Sequence, residues 1–101
     1  MNDSTIHYFR FLAHPKPSNA EYGVVDGAWV SCWVLDPVLA SAEAEARDVL
    51  EEAGWDVELL EESSVVDENN IPQSAASYID QVRQDGLVAV FNTWDVGAPD
   101  E

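Results

Sequence analysis

Residues 28–37 read AWVSCWVLDP, and a β-strand there is apolar on both sides. Side chains of extended backbone alternate between faces, so Trp29, Ser31, Trp33 and Leu35 share one side while Val30, Cys32 and Val34 take the other. A chain of 101 residues can build one small core, and it rarely has helix enough to cover both faces of a sheet. The stretch therefore demands a layered α and β fold. It also leaves a question, which is what covers the tryptophans.

The rest of the chain supplies the other layers. Residues 5–13, TIHYFRFLA, are aromatic and β-branched and read as a first strand. HPKPSNAEYGVVDG, at 14–27, is a loop by its prolines, glycines and asparagine. After the strand at 28–35, Asp36 and Pro37 form a helix start, and Leu39, Ala42, Ala46, Val49, Leu50 and Ala53 make one apolar stripe. Gly54 ends that helix, with Trp55 placed to fold back on Leu50. A third strand opens at Trp55, where Trp55, Val57 and Leu59 alternate with acids until Leu60 breaks the pattern. Pro72 opens a second helix carrying Ile71, Ala75, Tyr78, Ile79 and Val82 at helical spacing, and Gly86 closes it. LVAVFNTW, 87–94, is apolar on both faces and reads as an interior strand. Residues 1–4 and 96–101 are expected to be frayed.

The order strand, strand, helix, strand, helix, strand predicts a single α+β domain over 1–101. It is a two-layer sandwich of four strands, mixed or mostly antiparallel, with two helices on one face. In size and layering it resembles the ferredoxin-like class, although the hairpin-first order differs from that fold's strand-helix-strand repeat. The small Val30/Cys32/Val34 set suits helix packing, which leaves Trp29 and Trp33 on the open face, with Tyr8 or Phe9 and Trp94 as further members. Covering two tryptophans is worth several kcal/mol, at about 25 cal/mol per Å² over roughly 150–250 Å² each. The cover is the 14–27 loop with Tyr22, Val24 and Val25, a second copy of the chain, or a ligand or other protein. A homodimer is the favoured choice, because symmetric dimers are the commonest oligomers.

Charge narrows the partners. Twenty Asp and Glu stand against four Lys and Arg, a formal net charge of −16. Such a surface repels nucleic acid and anionic membranes, so direct nucleic-acid binding is not expected. No stretch is apolar for the length of a membrane span, and the start MNDSTIHYFRF lacks the pattern of a signal peptide. One cysteine, Cys32, makes no internal disulfide and suits a reducing compartment, so a cytoplasmic location is expected. The acids serve as a solvated helix face, as an adaptation to molar salt, or as a surface for a basic protein partner. In the last case Glu51, Glu52, Glu58, Glu61 and Glu62 carry it.

Motifs for chemistry are sparse. His7 and His14 are seven apart, without metal-ligand spacing, and read as solvent-edge residues. Cys32 points to the core and reads as inert. Glu61, Glu62, Asp67 and Glu68 lack the spacing of a calcium loop. No phosphate loop and no nucleophile elbow occurs, so no catalytic residue, cofactor or metal is assigned. Arg10, in the middle of HYFRFLA, is the residue of interest. It can stack on a tryptophan or meet a ligand carboxylate, or it can pair with one of the chain's own acids. The expected function is therefore non-enzymatic, by self-association and a basic partner. The alternative is a small-molecule binding module or enzyme with a pocket lined by Trp29, Trp33 and Arg10.

Overall fold

The computed structural model describes residues 5–67 and 69–96. The expectation of frayed ends falls outside the described residues except at Val96, whose N–H donates to the Val24 carbonyl at 2.9 Å. The elements are β1 (Ile6–Pro15), β2 (Val25–Leu35), α1 (Leu39–Glu52), β3 (Trp55–Val65), a 3₁₀ turn (Gln73–Ala75), α2 (Ala76–Asp85) and β4 (Leu87–Asp95). They form an α+β fold built on one four-stranded sheet of order β3-β1-β2-β4. Every neighbouring pair in it is antiparallel. No helix among the described residues is long and apolar enough to cross a membrane.

α1 packs as its stripe implies. Ala42, Ala46 and Leu50 are fully buried against Phe9, Phe11, Val30, Cys32 and Val34, with Trp55 closing the cluster. The small residues of α1 let it lie close on two phenylalanines, a fit of large against small. The helix begins later than Asp36 and Pro37 suggest. The Asp36 carboxylate accepts the Val38 N–H at 2.8 Å, which spends it on a local turn, and the first helical residue is Leu39. At the other end Gly54 takes φ 94°, the left-handed geometry that a non-glycine residue resists.

The two helices do not share a face. Ile79 and Val82 of α2 are buried in a second cluster with Ile6 and Trp33, on the side of the sheet opposite α1. The reason lies in the strand directions. β2 and β3 both run antiparallel to β1, so they are parallel to each other and the handedness rule constrains the α1 crossover. β4 is antiparallel to β2, hence also to β3, and the rule does not govern the α2 connection. That connection runs between the two edge strands and carries α2 across the other face.

Two local expectations also change. β4 is an edge strand, not an interior one. It is apolar on both faces because Leu87, Ala89 and Phe91 pack on the α1 side and Val88 and Val90 on the α2 side. The broken alternation near Leu60 has a structural cause in two register shifts between β1 and β3. Glu58 and Glu61 are the extra residues of β3 at those shifts, each left without a Cα partner in the ladder.

Candidate functional site

Cross-strand register lays out the second face row by row. Tyr8 stands opposite Trp33, Arg10 opposite Ser31, and Leu12 opposite Trp29. Leu59 extends the Leu12 row onto β3, while Val88, Val90 and Asn92 continue the three rows onto β4. α2 has 10 residues, about 15 Å of helix. β2 has 11, about 36 Å of strand. The helix therefore covers one end of the face and leaves the other open.

Trp33 lies at the covered end. Its ring stacks on Tyr78 of α2 at 4.9 Å between centroids, and Tyr8 tilts against it at 5.3 Å. Only 9% of Trp33 remains exposed. Tyr8 also shares a hydrogen bond with Ser31 at 3.2 Å between oxygens. The partner for Trp33 thus comes from the chain itself, in Tyr78, a residue whose helical spacing was legible but whose destination was not. The 14–27 loop does not serve as cover. Asn19 Nδ2 and the Lys16 N–H both donate to the Gly54 carbonyl at 2.9 Å, which fastens the loop at the turn between α1 and β3. Tyr22 and Val24 are left 57% and 63% exposed.

Trp29 lies at the open end. The Arg10 guanidinium sits 4.7 Å above its ring centroid, and Arg10 Nε is 3.3 Å from Glu61 Oε1. Arg10 thus makes both the aromatic contact and the internal ion pair. His14 Nδ1 similarly meets Glu58 Oε1 at 3.1 Å. The two glutamates are the bulge residues of β3, so the bulges turn one acid toward Arg10 and the other toward His14. Trp94 approaches Trp29 with centroids 6.4 Å apart. It lies over Gly27, where a Cβ would stand 2.6 Å from the ring, so glycine is what admits the indole there.

Of the residues expected on the open face, Tyr8, Arg10, Trp29, Trp33 and Trp94 all occupy it, and Phe9 belongs to the α1 side. They do not line one pocket. Tyr8 and Trp33 border a cavity of about 350 Å³ with Ser64, Val65, Val66, Asp67 and the start of the α2 segment. Trp29, Arg10 and Trp94 are not among its lining residues.

The acidic residues are scattered. Glu51 pairs with Lys16 at 2.8 Å, and the bond holds the Glu51 carboxyl below its ordinary value and the Lys16 ammonium above its own. With Glu58 and Glu61 engaged as described, Glu52 and Glu62 remain as exposed acids of the expected partner surface. On the α1 side, the Glu45 carboxyl is raised by its hydrogen bond to the Asp36 carboxyl, whose own value is lowered by the same contact. Glu68 of the acidic run lies outside the described residues, and among those described no three His, Cys, Asp or Glu are placed to hold a metal.

Two further side chains sit on the α1 face. Burial pushes the Cys32 thiol up to about 12, which leaves it protonated and a poor nucleophile at neutral pH. His7 was expected at a solvent edge, yet it is 4% exposed. Neither of its ring nitrogens has a hydrogen-bond partner among the described residues. Its place on β1 between Val34 of β2 and Val65 of β3 explains the burial. No protein-family model, no curated protein and no solved structure matches the chain.

Proposed function

We propose that the chain is a non-catalytic protein that works by docking, with the open end of its second sheet face as the contact surface and a second copy of itself as the occupant. The observation that carries this reading is the row Leu59, Leu12 and Trp29, with Trp94 beside it, lying beyond the reach of α2. Leu59 is 50% exposed, at the β3 end of a row that runs through Leu12 and Trp29 to Asn92. Charge supports the choice of face. A net charge of −16 on each copy opposes approach over most of the surface. Here the Arg10 guanidinium meets Glu61, with Glu62 opposite Arg10 in the same ladder, so part of the acidic charge on this face is offset from within the chain. The acids away from this face, Glu52 among them, form the exterior that would meet a basic partner. The buried lone thiol suits a reducing, cytoplasmic setting.

Molar mass by light scattering on a size-exclusion column, at low and at molar salt, tests the proposal. The expected mass is twice the 11.1 kDa of one chain, favoured by salt because screening weakens the repulsion between copies. Leu59→Glu, at an exposed position, is expected to give a folded monomer. A wild-type monomer at both salts, or a dimer that survives both Leu59→Glu and Trp29→Glu, overturns the reading.

A further inference from the structure

We propose that the cavity at the covered end of the second face is a binding site for a small organic cation with an apolar body. It stands on observations separate from the docking face. The cavity, about 350 Å³, lies at the small end of the range for ligand pockets, roughly 300–1,000 Å³. Its apolar wall comes from Val65, Val66, Ile71, Pro72, Ala75 and Ile79. The rings of Tyr8 and Trp33, 5.3 Å apart and tilted by 50°, also border it, and aromatic rings attract cations.

The polar lining selects the sign of the charge. Asp67 is the one ionisable group of strong charge among the described lining residues, none of which is Lys, Arg or His. The Asp67 carboxylate is held in place, because its Oδ1 accepts the Asn69 N–H at 3.0 Å and its carbonyl accepts the Asn70 N–H at 3.0 Å. Oδ2 takes no part in that turn bond. Around the site the chain carries a net charge of −16, and a cleft in a field of one sign concentrates the opposite ion. A carboxylate or phosphate ligand could take hydrogen bonds from Ser64 and Asn70 but would face the Asp67 charge with no cation among the described lining residues to pair with. An ammonium group near Asp67, with its hydrocarbon part against Ile71, Pro72 and Ala75, satisfies each wall.

Phenyltrimethylammonium is the probe, with benzyl alcohol and benzoate as neutral and anionic aromatic controls. Binding is followed by NMR through the four indole N–H resonances, with that of Trp33 assigned by Trp33→Phe. The expected result is a saturable shift of the Trp33 resonance by the cation, benzyl alcohol binding about tenfold more weakly, and none from benzoate. Asp67→Asn should weaken the cation about threefold to fivefold, the loss of one exposed charge pair, and leave benzyl alcohol unchanged. Ala75→Leu, which fills the cavity, should remove both. Absence of saturation by the cation, equal affinity for cation and alcohol, or indifference to Asp67→Asn would each overturn the assignment. Leu59→Glu, outside this cavity, should leave cation binding intact, so this site and the docking face succeed or fail separately.

Discussion

The two faces of the sheet are built from the same strands and end up as different materials. On the α1 side, Phe9, Phe11, Val30, Cys32 and Val34 are sealed from water under a helix of 14 residues. On the other side a shorter helix covers Trp33, while Trp29, Leu12 and Leu59 lie past its end. Both faces are rich in large apolar groups, although the second also carries Arg10, Ser31 and Asn92. Helix length against strand length separates them further. A face rich in large apolar groups can still be a surface, when the element that covers it is shorter than the strands beneath.

This contrast is most directly tested by paired truncations of sequence neighbours. Phe11→Ala, on the sealed face, should cost about 3–5 kcal/mol by chemical denaturation, from lost burial and an unfilled cavity. Leu12→Ala, one residue on and half-buried on the open side, should cost a monomer about 1 kcal/mol. Similar losses at the two positions would mean that both faces are equally core-like. A smaller effect tests an imperfection on the sealed face. His7→Leu removes two buried ring nitrogens that have no partners among the described residues, and should stabilise by about 1 kcal/mol. A loss of stability would show that the imidazole is satisfied in solution.

The smallest effect concerns exposed carboxylates and is read as a pH trend in melting temperature. The Glu51 value is lowered in the fold by Lys16. Its contribution is therefore present above the ordinary carboxylate pKa and is lost as pH falls through the lowered value. The Glu45 value is raised by Asp36, so the fold loses stability as pH rises from the ordinary value through the raised one. Glu51→Gln should shrink the loss of melting temperature on acidification, and Glu45→Gln should enlarge it. Shifts of the same sign in the two variants would refute this assignment.

Much of the fold was legible because it is written in local chemistry. Gly54 and Gly86 stand at the ends of α1 and α2 with positive φ, since only glycine takes that geometry without strain. The alternation in 28–35 separated Val30, Cys32 and Val34 from Trp29 and Trp33 correctly, because the period of two is a property of the strand itself. Arg10 stood out by its surroundings, although its two contacts, Trp29 and Glu61, come from separate strands.

What the chain's own order determined was the number and kind of elements and which residues share a side. The tertiary structure alone decided which side each helix takes, where β4 lies and what meets Trp33. A crossover between parallel strands has a preferred hand, and one between antiparallel edge strands has none. No local pattern in 66–86 could therefore say that α2 crosses the second face. Tyr78 reaches Trp33, and the acids of the two bulges reach Arg10 and His14, only after three strands have found their register. Residues far apart in the chain meet through that register, and it forms only when the whole sheet does.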